Sequence, residues 1–246
     1  MPKAAIQISG EFRCLHLTKD SFEKNILQDL QKKGYAVDIF VHCWKRDETS
    51  LGTYPFEGRG DWHKTMAVFS NADGVNLFKP TSYLFQEPDE VSVLKGKNRF
   101  VHMYYSIFMA NHLRKIYEMK TGSKYDLVIR YRTDCIVNEP LLKHLPAEAS
   151  FLVIPRSTKT TNCDGPWNDG DDKHVCDWLA YGTPDCMNIY CDTFVTWVSE
   201  NQTPEGEACL AVHLSRKNQK IIRSDLSFFI IEGNGQIRGN LRNSTI

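Results

Sequence analysis

Tyr125-Asp126-Leu127-Val128-Ile129-Arg130-Tyr131-Arg132-Thr133-Asp134-Cys135-Ile136-Val137 is the stretch that decides how the chain is read. Leu127, Val128 and Ile129 make a short apolar run. Such a run suits a strand buried on both faces, as in a parallel sheet. Polarity then rises abruptly at Arg130, Arg132 and Asp134. In open α/β sheets, ligands sit outside the carboxyl ends of the strands. An Asp flanked by arginines at such an end can bind a metal, a phosphate or a sugar hydroxyl. Equally, Arg132 and Asp134 can form a plain strand-end salt bridge.

Upstream, residues 100–119 carry Met103, Tyr104, Ile107, Phe108, Leu113, Ile116 and Tyr117 on one broad face, and Gly122 closes the run. This is a helix, and it serves as the crossover into the strand at 125–134. Residues 4–9 read as a first strand, ended by Gly10, with Arg13 just beyond its carboxyl end. There Arg13 is either a phosphate contact or an ordinary surface residue. Residues 19–33 read as a helix with Phe22, Ile26, Leu27 and Leu30 on its apolar stripe, stopped by Gly34. Residues 35–44 form a second strand, and the β-α-β order makes the two strands parallel neighbours. His42 and Trp44 fall at its carboxyl end. A lone histidine there is either a core residue with its hydrogen bonds satisfied or a ligand contact.

Residues 45–75 read as a loop rich in Gly, Pro, Asp and Arg. Short strands are expected at 75–80 and 82–85, a polar loop at 87–98, a turn at 140–146 and a strand at 151–155. Residues 157–174 read as a long irregular loop, and such loops are often functional. Its Asp169, Asp171 and Asp172 either chelate a cation or belong to a solvated loop. A strand at 177–183 follows, then a helix from Pro184, a helix at 204–217, strand-like segments at 221–222 and 226–231, and a tail from 233 to 246. No repeat appears.

The chain has 246 residues, 41% hydrophobic and 24% charged, with 30 Lys plus Arg against 30 Asp plus Glu. This length supports a sizeable core. The charge balance gives no global pull toward nucleic acid or an anionic membrane. No apolar run is long enough to span a membrane. The N-terminal residues lack the apolar stretch of an export signal. The eight scattered cysteines, none in a CxxC pair, are therefore expected as reduced thiols of a cytoplasmic protein. Cys163, His174 and Cys176 have poor spacing for a closed zinc site.

Six stretches together resemble one family. Ile8-Ser9-Gly10-Glu11-Phe12-Arg13 resembles an opening "ISGQ-x-R", and Asp38 to Trp44 resembles "D-I-F-I-H-x-W". Met103 to Leu113 resembles "M-F-Y-S-I-x-x-A-N-x-L", and Tyr125 to Asp134 resembles "Y-D-x-V-I-R-x-R-x-D". Asp177 to Thr183 resembles "N-D-Q-F-A-F-G-S", and Glu207 to Leu214 resembles "E-x-L-L-x-x-x-L". In this order they are similar to the WavE-like glycosyltransferases of bacterial surface-polysaccharide loci and large DNA viruses.

The resemblance implies a single GT-A-like α/β domain with a mostly parallel sheet. It would have a nucleotide-sugar-binding half at 1–137, an acceptor half at 138–232 and a tail at 233–246. It implies sugar transfer from a nucleotide-diphosphate donor, a UDP-sugar by preference, to a glycan hydroxyl. In that fold a DxD motif holds Mn²⁺ or Mg²⁺ against the diphosphate. Here Arg132-Thr133-Asp134 takes its place, so the first Asp is an Arg and Asp134 is the remaining metal ligand. A guanidinium can hold the same oxygens bidentately. Ser9, Gly10, Arg13, Arg130, Arg132 and His42 or Trp44 are expected near the donor. Asp177 is expected as general base, with a hydrogen bond to the donor sugar or a loop cap as its other roles. Ser106 and Asn111 either face the donor or pack their helix. Two rivals remain: a catalytically inactive binder of the same fold, and a metal-dependent hydrolase. The absence of G-x-S-x-G, P-loop and H-E-x-x-H motifs counts against the second.

Overall fold

The computed structural model describes residues 1–52, 66–156, 175–200, 206–231 and 237–239. The chain opens with β1 (Lys3–Gly10) and α1 (Leu15–Phe22), which runs through a π-helical turn into α2 (Gln28–Lys32). There follow β2 (Ala36–Trp44), β3 (Ser50–Gly52), β4 (Met66–Val68), α3 (Asn71–Phe78) and β5 (Ser82–Gln86). The long helix α4 (Arg99–Thr121) leads into β6 (Leu127–Tyr131), β7 (Cys135–Val137), β8 (Leu152–Val153) and β9 (Leu179–Gly182). The chain continues through α5 (Pro184–Cys191), α6 (Thr193–Glu200), α7 (Gly206–Arg216), β10 (Phe228–Ile231) and β11 (Ile237–Gly239).

The central sheet has six strands in the order β5-β2-β1-β6-β9-β8. β5, β2, β1 and β6 are mutually parallel. β9 runs antiparallel to β6, and β8 antiparallel to β9, so five of the six strands point one way. This is the mostly parallel α/β sheet expected, with β1 and β2 as parallel neighbours. α1 covers one face, where Phe22 lies against Tyr131 at 5.0 Å between ring centroids. α4 covers the other, with Tyr117 edge-on to Phe40 at 5.6 Å. Because both faces are covered, β6 is buried at every residue. A second, antiparallel sheet has the order β11-β10-β7.

Local chemistry sets the boundaries that matter. Asn98 caps α4 by accepting the N–H groups of Phe100 and Val101, at 3.0 and 3.2 Å. Gly10 takes φ +109, a conformation closed to side-chain-bearing residues, and so lets the chain leave β1 sharply into Glu11.

Several expectations are corrected. The strand expected at 75–80 is the end of α3. Ser70 and Asp73 cap that helix reciprocally: Ser70 Oγ accepts from Asp73 N–H at 3.1 Å, and Asp73 Oδ2 from Ser70 N–H at 3.0 Å. The run at 125–134 does not stay in one strand: it turns at Arg132-Thr133-Asp134 and enters the second sheet as β7. The polar segment 87–98 contains two 3₁₀ turns, and the helix from Pro184 breaks at Asp192 into α5 and α6. β11 lies in the stretch read as tail. The acidic run 169–172, Cys163 and His174 lie outside the described residues. Among the described residues no disulfide forms, and seven cysteines are buried thiols. No described helix is long and apolar enough to cross a membrane.

Candidate active site

Register brings three strand ends together. Gly10 stands opposite Cys43, and Ile8 opposite Tyr131. The carboxyl ends of β1, β2 and β6 therefore lie side by side, at the edge where α/β sheets bind ligands.

Thr133 joins two of these ends. Its hydroxyl donates to the carbonyl of Glu11 at 2.8 Å and accepts from the N–H of Arg13 at 3.0 Å. Its own carbonyl accepts from Thr18 Oγ1 at 2.6 Å. One buried side chain thus fastens the β1–α1 loop to the β6–β7 turn. The sequence reading passed over it as the middle of a charged tripeptide. Its signal was a small hydroxyl residue between two charges at a strand end.

On this frame sits a cluster of charges. Arg132 donates from Nε to Asp134 Oδ1 and from Nη2 to Oδ2, both at 2.9 Å, the bidentate fork of guanidinium on carboxylate. Asp134 is only 1% exposed. Burial raises its carboxyl, but the charges of Arg132 and Arg13 outweigh this and hold it below the usual carboxylate range. Arg13 Nη1 stands 3.9 Å from Asp134 Oδ2, while its Nε and Nη2 donate to Glu11 Oε2 at 3.1 and 2.8 Å. Arg46 Nη2 reaches Glu11 Oε1 at 3.3 Å. Glu11 and Arg46 were not foreseen as parts of this cluster.

Asp177 lies two residues before Leu179, which pairs with Tyr131 across β6 and β9. It therefore approaches the same turn. It is 4% exposed, and burial raises its carboxyl while Arg132 and Arg130 oppose the rise. Arg130, Arg132, Asp134 and Asp177 are thus brought together. Ser9 and Gly10 border them from β1, and Arg13 from the loop that follows it.

His42 is placed differently. It is 0% exposed, and both ring nitrogens have partners: Nδ1 with Ser106 Oγ at 2.8 Å and Nε2 with Gln86 Oε1 at 3.0 Å. Burial lowers its pKa to about 4, so the ring is neutral near pH 7. No ring nitrogen remains to bond a donor, and the expected contact through His42 is corrected to a structural role. Ser106 Oγ also accepts from Gly10 N–H at 2.9 Å, so the ring braces the sharp exit from β1. Trp44 stacks on Tyr105 at 5.9 Å beside it. Asn111 serves the core: its Oδ1 accepts from Gln7 at 2.7 Å and from Arg114 at 2.9 Å, and its Nδ2 donates to Asn188 at 3.1 Å.

A divalent ion does not fit Asp134 as this side chain lies. Both of its oxygens are taken by Arg132, and the other acidic position of the motif is that same Arg132. Among the described residues, no three His, Cys, Asp or Glu side chains are grouped to hold a metal. A hard cation needs a shell of several oxygens. The described cluster instead offers guanidinium groups.

No protein-family model and no curated protein sequence matches the chain. Solved structures do. A glycosyltransferase involved in glycosylating the major capsid of the virus PBCV-1 matches with a TM-score of 0.45 and 10% identity, over 91% of this chain and 82% of that one. The catalytic domain of Drosophila β1,4-galactosyltransferase 7, in complex with xylobiose, matches with a TM-score of 0.42 and 11% identity, over 99% of this chain and 72% of that one. A mutant of the Drosophila enzyme complexed with manganese, UDP-Gal and xylobiose matches with a TM-score of 0.39 and 10% identity, over 99% and 72%. At these values the likeness is one of layering, and the functional reading rests on the chain's own residues.

Proposed function

We propose that the protein is a glycosyltransferase of GT-A type, moving a sugar from a nucleotide-diphosphate donor to a glycan hydroxyl. The observation that carries this reading is the cluster of Arg13, Arg130, Arg132, Asp134 and Asp177 at the adjoining carboxyl ends of β1 and β6. Guanidinium groups there suit a departing diphosphate. The ordered motifs support a place among the WavE-like enzymes, with residues 1–137 serving the donor and 138–232 the acceptor. A UDP-sugar is the preferred donor because uridine is commonest among enzymes of this type.

In the inverting form of the reaction, the bond from sugar C1 to the phosphate oxygen breaks, and its electron pair leaves with the nucleoside diphosphate. The acceptor oxygen bonds to C1 and gives its proton to the Asp177 carboxylate. Burial raises the Asp177 pKa, toward the range in which a general base works best. Arg13 and Arg132 stabilise the leaving diphosphate, and Ser9 and Gly10 border the nucleotide. Mn²⁺ or Mg²⁺, expected from the resemblance, would require Asp134 to leave Arg132. The proposal is therefore carried by the arginines.

Asp177→Asn is expected to lower kcat by about 10²–10⁴-fold and to leave nucleotide-diphosphate affinity nearly unchanged. Turnover and calorimetric titration of the same preparation check this, and wild-type turnover in the variant removes Asp177 from the role. One observation favours a second reading, that of an inactive nucleotide-sugar binder: the single carboxylate of the motif is already spent on Arg132. Incubation with a panel of UDP- and GDP-sugars separates the two. Binding without hydrolysis or transfer selects the binder.

A further inference from the structure

Two buried arginines lie on the α4-facing side of the sheet, and they are treated in opposite ways. Arg114 is fully provided for. Its Nε and Nη2 donate to Asn111 at 3.1 and 2.9 Å, and its Nη1 meets Glu118 at 2.7 Å. Arg130 is 1% exposed, and among the described residues its Nε and Nη1 have no hydrogen-bond partner. Among the described residues no carboxylate lies within 4.0 Å of it.

A second orphan stands nearby. Gln7 is opposite Arg130 across β1 and β6, so their side chains share a face, and Ser9 follows on that face two residues later. Ser9 Oγ is buried and, among the described residues, also lacks a partner. Gln7 itself is satisfied by Asn111. The unsatisfied donors are thus the ones toward the carboxyl ends of the strands, beside the charged turn.

A guanidinium buried with unpaired N–H groups costs the fold stability, so an apolar side chain of like volume in its place need not destabilise it. Arg130 acts through space on Asp177, whereas the several oxygens of a phosphate would supply the hydrogen bonds that its Nε and Nη1 and the Ser9 hydroxyl lack. We propose that Arg130 and Ser9 form a phosphate-binding pair that takes the donor's diphosphate without a divalent ion between protein and phosphate. This rests on the transferase reading above and adds to it which groups grip the donor and by what chemistry.

The test uses the full chain in two buffers, one with EDTA and one with Mn²⁺. UDP, GDP and inorganic pyrophosphate are each titrated against wild type, Arg130→Met, Arg130→Lys and Ser9→Ala, with thermal shift and calorimetry as readouts. In EDTA, wild type is expected to be stabilised by a nucleoside diphosphate. Arg130→Met should keep or raise the ligand-free Tm and bind that ligand at least about tenfold more weakly. Arg130→Lys, which keeps a positive charge but loses the spread guanidinium donors, should recover part of the affinity, and Ser9→Ala should lose less than Arg130→Met.

Arg130→Met with a lowered Tm and undiminished nucleotide affinity overturns the proposal. If Arg130→Met does not fold, Arg130→Lys decides: unchanged affinity overturns the proposal, and weakened affinity at an unchanged Tm supports it. Wild type that binds nucleotide only with Mn²⁺ also overturns it and leaves the transferase reading standing. No stabilisation by any nucleoside diphosphate in either buffer overturns that reading as well.

Discussion

His42 is where a residue most changed its meaning. The sequence set it at a strand end with two readings open, and the partners on both ring nitrogens select the structural one. Its burial has a consequence for pH. The unfolded chain protonates His42 near the ordinary histidine value of 6.5, while burial in the fold keeps it neutral down to about 4. The unfolded state therefore binds more protons between those values, and stability falls as pH falls from 6.5 to 4, by about 3 kcal/mol from this group. Asp134, with its pKa lowered, adds a loss below the unfolded carboxylate value of about 4. Asp177 acts in the other sense, because its pKa is raised and its ionisation costs stability as pH rises. Urea midpoints across this range should therefore drop more steeply for wild type than for His42→Gln. Equal slopes would remove the histidine as the cause. The Arg132–Asp134 pair shows what spacing can say: two residues of opposite charge at a strand end were legible as partners. Thr133 was not, because its role depends on Glu11 and Arg13, more than a hundred residues away in sequence.

Elements were legible where the apolar pattern is long, and illegible where a short pattern fits two periods. The α4 stripe and the parallel pair β1 and β2 needed only local periodicity. Val75 to Pro80 did not, since a few apolar residues read equally as strand or helix end, and the deciding signal was the Ser70 and Asp73 cap several residues upstream. That helix bears on the candidate site through Gly74. A Cβ added there would fall on the ring of Phe12, which itself stacks on Phe78 at 5.8 Å. Phe12 directly precedes Arg13. Gly74→Ala is therefore expected to destabilise by about 1–3 kcal/mol through overpacking, and to weaken nucleotide affinity by shifting Arg13. Chemical denaturation checks the first effect and titration the second; an unchanged urea midpoint would show that the ring gives way freely.

At the scale of the whole molecule, the layered α/β class was legible and the order of the sheet was not. Local patterning does not say that β9 enters antiparallel between β6 and β8, because pairing across distant segments is decided by packing. The same holds for the passage of the chain from the first sheet to the second at Arg132-Thr133-Asp134. There the carbonyl of Asp134 accepts from the N–H of Ile231 at 2.9 Å, and Cys135 pairs with Ile230. The charged turn is thus buttressed by β10 of the second sheet. The turn after β6 has β1 and its loop on one side and gains its second wall only from β10, so a chain cut before Phe228 would hold that turn from one side alone.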